Sequence, residues 1–239
     1  SVAVTSSIWA VVPAAGSGRR MASEVPKQYL AVNGVPILEY TLQALLACPD
    51  IRGVVVVLDP SDRRADLIAS LSDPRVFTAI GGQERADSVL AGVQFLTPFA
   101  GSDDWVLVHD AARPCISVQT LRMLIDHAIS NDVGTVLAQA STDTLKRISL
   151  NGRVTETLDR RVIWRAQTPQ IFRRSDLELA LSSALSEHLP ITDESTAMEL
   201  SGFPVSVLEG PATNIKVTLP IDLAFAEIIL RQLAEENQL

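Results

Sequence analysis

Short apolar runs alternate with amphipathic stretches along most of the chain. Residues 8–13 form a nearly continuous apolar run that ends in a Gly-rich loop, as a strand buried on both faces does. The same logic places buried strands at 53–58, 76–80, 104–109 and 134–140. Helical spacing predicts helices at 38–47, 63–71, 84–96 and 118–129, the last with Ser117 as its N-cap. The pattern then changes. Residues 142–158 alternate polar and apolar positions around Asn151-Gly152, a hairpin signal. A hairpin with so few large apolar residues cannot bury itself, so it is expected either to project as an arm toward a partner subunit or to lie as a plain edge hairpin. A strand at 162–166, helices at 175–186 and opening at 192, a strand at 205–208 and a helix from Pro220 to about 233 complete the chain.

Strands alternating with helices imply an α/β fold: a Rossmann-like, mostly parallel sheet with helices on both faces and a projecting β-hairpin arm. No repeat or composition break marks a second unit. The expectation is one domain spanning 1–239, with residues 141–159 as a β-arm for dimerisation.

Composition narrows the partners. The chain has 239 residues, 47% of them hydrophobic and only 5% aromatic, so aliphatic side chains must build the core. A formal charge of -8 argues against nucleic acid as a partner. No apolar run is long enough to span a bilayer, so no membrane association is expected. The first residues have no basic n-region leading into a long apolar run, so no signal peptide is expected; Ser1 in place of Met suggests a processed or engineered start. Two cysteines and three histidines show no metal-ligand spacing, and a cytoplasmic location is expected.

The chemistry concentrates in the first loop, Pro13-Ala14-Ala15-Gly16-Ser17-Gly18-Arg19-Arg20-Met21. Small residues let backbone N–H groups approach an anion, and the loop lies at the carboxyl end of a strand, where open α/β sheets bind ligands. Arg20 and Lys27 add full positive charge suited to a reacting phosphate; Arg19 fits a solvated surface charge. Gly16 and Gly18 match the first two positions of a dinucleotide fingerprint, but Met21 takes the third, and Asp59 lies far beyond the usual distance of about 20 residues. A P-loop is excluded because Lys27 is followed by Gln28.

Ala14-Ala-Gly-x-Gly-x-Arg-Met and Pro26-Lys-Gln-Tyr-Leu together resemble the sugar-nucleotidyltransferase superfamily. Within it, PKQYL points to the 2-C-methyl-D-erythritol 4-phosphate cytidylyltransferases. The resemblance continues through Gly81-Gly82-x-x-Arg85-x-x-Ser88, His109-Asp-Ala-Ala-Arg-Pro114, Ala166-Gln-Thr-Pro-Gln170, Thr192-Asp-Glu194 and Asn214-Ile-Lys216. It implies transfer of a cytidylyl group from CTP to methylerythritol phosphate, with Mg²⁺ held mainly by the CTP phosphates, no protein metal ligand, and a homodimer built through the arm. Ribitol 5-phosphate is the alternative acceptor, and a dinucleotide-dependent oxidoreductase the alternative class. By this resemblance Arg20 and Lys27 stabilise the transition state, and Arg160 and Lys216 position the acceptor. Pro13, Ala14, Ala15, Gly16, Gly18, Lys27, Gly82, Ser88, Asp110 and Ala111 would meet the nucleotide. Asp110, Arg113, Thr144, Arg160, Thr168, Thr192 and Lys216 would meet the acceptor, Thr144 and Arg160 reaching a neighbouring subunit's pocket. Thr192 serves equally well as a helix N-cap, and His109 is expected to be structural. Thr213 stands where an acidic residue often precedes the Asn-Ile-Lys motif.

Overall fold

A computed structural model describes residues 5–16 and 25–237. Seven strands form one sheet: β1 (Ile8–Ala14), β4 (Ile51–Leu58), β5 (Val76–Ile80), β6 (Trp105–Val108), β7 (Gly134–Ala140), β10 (Trp164–Arg173) and β11 (Val205–Glu209). Their spatial order is β11-β7-β10-β6-β1-β4-β5. Every neighbouring pair is parallel except those made by β10, which runs antiparallel to both β6 and β7. β2 (Ala31–Val32) and β3 (Val35–Pro36) form a minimal ribbon, and β8 (Leu145–Ile148) pairs with β9 (Val154–Leu158) as a separate hairpin.

The period of two along the strands explains why helices cover both faces. In β1, Ile8, Ala10, Val12 and Ala14 point into one core while Trp9 and Val11 point into the other. The first core is closed by Leu38, Leu42 and Leu45 of α1 (Ile37–Leu46) and by Leu121, Leu124 and Ala128 of α3 (Val118–Asn131). The second is closed by α2 (Arg85–Phe95), α4 (Arg174–Ser186) and α5 (Glu194–Leu200) through Val89, Val93, Leu177, Leu181 and Met198. A third cluster seats α6 (Pro220–Glu236) through Ala226 against Val32, Ala112 and Val217, tying the Asn214–Lys216 segment to the loop after β6.

Two expectations change. Residues 63–71, predicted as a helix, form two short 3-10 turns, Ala65–Leu67 and Ala69–Ser72, with no buried residue in either. Only Ile68, between the two turns, is buried, so a longer helix would have a single core contact to stabilise it. The strand predicted at 162–166 runs on to Arg173, because Ile171 and Phe172 are fully buried between β6 and β7. Ser117 caps α3 as expected, accepting a hydrogen bond from the Thr120 N–H.

The chain passes from β1 to β4 and β5 on one side, then returns to place β6 on the other side of β1. That reversal opens a crevice at the carboxyl end of β1, the usual ligand position in such sheets.

Candidate active site

The crevice is a cleft walled by the turn after β1, the β5–α2 turn, the loop after β6 and Lys216. Pro13, Ala14, Ala15 and Gly16 form one wall. Their conformation is held from behind by Gln28, a buried side chain whose Nε2 donates to the carbonyls of Ala14 at 3.0 Å and Gly16 at 3.1 Å. Gln28 belongs to the 3-10 turn Lys27–Tyr29, so the turn that pins the loop also delivers Lys27 to the cleft.

The opposite turn is packed as closely. A Cβ on Gly81 would stand 2.5 Å from Ser88 Oγ and 2.9 Å from Ala15 Cβ. Only glycine lets the β5–α2 turn approach the first loop this tightly. Gly82 and Ser88 line the cleft beside it, and at the start of α2 the Asp87 carboxylate accepts from the Glu84 N–H at 3.1 Å.

The loop after β6 is fixed by a chain of hydrogen bonds. Thr168 Oγ1 accepts from the Asp110 N–H at 2.9 Å and lies 3.0 Å from His109 Nδ1, while His109 Nε2 lies 2.9 Å from the Arg113 carbonyl. A carbonyl can only accept, so Nε2 carries the proton and Nδ1 accepts from the Thr168 hydroxyl. Burial pushes the His109 pKa down to about 4, so the ring is neutral near pH 7. Both ring nitrogens are occupied, as the structural role expected for His109 requires. Thr168 is buried, and its hydroxyl is committed to this chain.

Asp110 is the centre of charge. Its Oδ1 accepts from Arg85 at 2.9 Å; its Oδ2 accepts from Arg113 Nε at 3.2 Å and lies 3.9 Å from Lys216 Nζ. Burial alone would raise its pKa, but the charges of Arg85, Lys216 and Arg113 hold the carboxyl well below the ordinary range. Arg113 also donates to the Asn214 carbonyl at 2.8 Å, and the Asn214 amide donates to Gln167 and to the Thr168 carbonyl.

Pro13, Ala14, Ala15, Gly16, Lys27, Gly82, Ser88, Asp110, Ala111 and Lys216 therefore converge on one cleft. Gly18 and Arg20 lie outside the described residues. Arg113 and Thr168 support the cleft through Asp110. Thr144 and Arg160 stand on or beside the hairpin, exposed and away from the cleft of their own chain; Arg160 donates to the Thr142 carbonyl at 2.8 Å. Thr192 is exposed, and the N-cap of α5 is its neighbour Asp193, which accepts from the Thr196 N–H. The capping role considered for Thr192 thus moves one residue on. Gln28, Arg85 and Glu194 are functional residues that no expectation from sequence named. All three sit in the quoted motifs, and a long polar residue inside an otherwise small-residue or cap motif was the available signal.

Among the described residues no group of three His, Cys, Asp or Glu side chains could hold a metal. Asp110 and Glu84 are the carboxylates lining the cleft, and Asp110 already faces three cations. This donor set fits Mg²⁺ carried by a triphosphate better than an ion caged by protein.

Comparison with known proteins agrees with this geometry. The family model for IspD, 2-C-methyl-D-erythritol 4-phosphate cytidylyltransferase, matches residues 8–232. The enzyme of that name from Ectopseudomonas mendocina (strain ymp) is 49% identical over 223 residues, covering 93% of this chain and 95% of the relative. That from Pseudomonas fluorescens (strain SBW25) is 48% identical over 221 residues, covering 92% and 94%. Among solved structures, the Francisella tularensis 2-C-methyl-D-erythritol 4-phosphate cytidylyltransferase superposes with a TM-score of 0.81 at 33% identity, covering 94% of this chain and 100% of that one. On the strength of a match running through every wall of the cleft, the chain belongs to the 2-C-methyl-D-erythritol 4-phosphate cytidylyltransferase family.

Proposed function

We propose that this chain is a nucleotidyltransferase that moves the cytidylyl group of CTP to 2-C-methyl-D-erythritol 4-phosphate, giving 4-diphosphocytidyl-2-C-methyl-D-erythritol and pyrophosphate in isoprenoid precursor biosynthesis. The observation that carries this is a cleft in which Lys27 and Lys216 join a small-residue turn. A phosphate-oxygen of the acceptor bonds to the α-phosphorus of CTP. The bond from that phosphorus to the bridging β-phosphate oxygen breaks, and pyrophosphate leaves with the electron pair. A phosphate monoester is already ionised near pH 7, so no proton need be removed from it. The protein's task is to bring two anions together, align them and stabilise charge on the crowded phosphorus.

In this reading the turn Pro13–Gly16 cradles the triphosphate, and Gly82 and Ser88 face the base. Lys27, with Arg20, stabilises the transition state; Lys216 and the partner's copy of Arg160 position the acceptor phosphate. Asp110 and Ala111 meet the ribose. Asp110, Arg113, Thr144, Thr168 and Thr192 belong to the acceptor side, Thr168 by fixing the Asp110 backbone. Mg²⁺ carried in by the CTP phosphates would supply charge neutralisation there, leaving Lys27 and Lys216 to orient the two phosphate groups.

The arm supports a homodimer and a site shared between subunits. Ile148, Leu150 and Val154 on the hairpin are exposed, as are Val162 and Ile163 at its root. Apolar side chains set on a projecting hairpin favour contact with a second copy. Residues 1–239 form a single catalytic domain in this reading, with 141–159 as its dimer arm. A cytoplasmic location is supported by two buried free thiols, Cys48 and Cys115, and by the lack, among the described residues, of a helix long and apolar enough to cross a membrane.

Pyrophosphate release from CTP and Mg²⁺, measured with methylerythritol phosphate and with ribitol 5-phosphate, tests the proposal. Much faster turnover of methylerythritol phosphate is expected; preference for ribitol 5-phosphate would replace the acceptor, and release with neither would remove the function.

A further inference from the structure

Arg85 and Glu194 form a second charged pair against Asp110, and neither has a role in the mechanism above. Arg85 opens α2, on the wall that holds Gly82 and Ser88, while Glu194 opens α5, two residues beyond Thr192. Arg85 Nη1 lies 2.5 Å from Glu194 Oε1, and Nη2 is shared between Asp110 Oδ1 at 2.9 Å and Glu194 Oε2 at 3.4 Å. Glu194 is only 1% exposed. A carboxylate that deep persists only with a partner. Its backbone is anchored too: Gln170 on β10 donates to Asp193 at 3.0 Å and accepts from the Ser195 N–H at 3.0 Å.

The geometry bears on Lys216. Asp110 presents Oδ1 to Arg85 and Oδ2 to Arg113 and Lys216. At 3.9 Å, Lys216 is close enough to feel the carboxylate but is not clamped in a short hydrogen bond, so its ammonium stays available to a phosphate. Take Arg85 away and the carboxylate is free to turn wholly toward Arg113 and Lys216. Take Glu194 away and Arg85 carries its full charge to Asp110. Either change alters how strongly Asp110 holds Lys216.

We infer that Arg85 and Glu194 are positioning residues: the pair fixes the Asp110 carboxylate so that Lys216 remains free to orient the acceptor phosphate, and it links the nucleotide wall to the acceptor wall of the cleft. This rests on the cytidylyl-transfer reading. It assigns the two side chains to the acceptor step rather than to CTP binding.

The test separates positioning from mere stability. A buried ion pair replaced on both sides by apolar residues of similar volume usually keeps its stability. The double variant Arg85→Met with Glu194→Leu is therefore expected to melt near the wild-type midpoint. Its kcat with methylerythritol phosphate should fall by on the order of tenfold to a hundredfold, the scale of a misplaced reacting group, while the CTP KM moves within about twofold. Wild-type kcat in a stable double variant would overturn the inference and leave the cytidylyl-transfer reading intact. If the double variant melts far below wild type, Glu194→Gln decides: a kcat loss with unchanged CTP KM supports positioning, and unchanged kcat overturns it. Absence of turnover by the wild-type protein itself overturns both the reading and this inference.

Discussion

At the scale of single residues, charge and burial divide the labour. Lys27 stands in the cleft and has a transition-state role in the proposed reaction, so Lys27→Ala is expected to lower kcat by on the order of a hundredfold, the usual effect of losing one such donor; steady-state kinetics would show it, and near-normal kcat would contradict the role. His109 does the opposite kind of work. It is buried and neutral, with its pKa lowered from 6.5 to about 4. Between those values the unfolded chain binds a proton that the folded chain refuses. Stability is therefore complete above about pH 6.5 and falls as the pH drops toward 4, by roughly 3 kcal/mol from this group. Asp110, with a depressed pKa, keeps its contribution above the ordinary carboxylate range, so its loss comes at lower pH. Thermal midpoints taken from pH 7 to pH 4.5 would check this, and a flat profile would argue against a buried neutral ring.

At the scale of elements, the cleft exists because two turns are pressed together. Gly81→Ala would drive a methyl into Ser88 and Ala15. Overpacking of this kind costs about 1–3 kcal/mol. The expected result is a lower thermal midpoint together with a raised CTP KM, both readable on one preparation. The hairpin makes a different prediction. Leu150→Asp on its exposed tip should shift the sedimentation profile from dimer toward monomer and reduce activity, whereas an active monomer at low concentration would contradict a shared site. The tip also shows where local sequence signals reach. Asn151-Gly152 announces the reversal correctly, with Gly152 at φ 84°. The loop closes more widely than a two-residue turn: the Ser149 N–H donates to the Arg153 carbonyl, and the Gly152 N–H donates to the Ser149 carbonyl.

At the scale of the whole molecule, the sheet and most of its helices were legible because inner strands such as β1 and β4 are apolar on both faces and the long helices on one. The segment 63–71 failed that test: it has helical composition, but only Ile68 of it is buried in the core. The antiparallel course of β10 was not legible, since a strand's direction depends on its neighbours and not on its own residues. The same limit applies to the site. Phosphate-facing motifs such as Pro13–Gly16 and Lys27 can be recognised one segment at a time. The Arg85–Asp110–Glu194 knot joins residues 25 and 109 positions apart, and no local pattern reports such a pairing. Its charges make sense only once the fold has brought α2, α5 and the loop after β6 together. The central claim is the reaction that this assembled cleft performs. Phosphorus NMR of CTP, Mg²⁺ and methylerythritol phosphate with the protein tests it most directly. The expected spectrum shows the CTP resonances replaced by a new diphosphate diester pair and one equivalent of pyrophosphate. Unchanged CTP, or pyrophosphate accompanied by CMP without the diester, would contradict it.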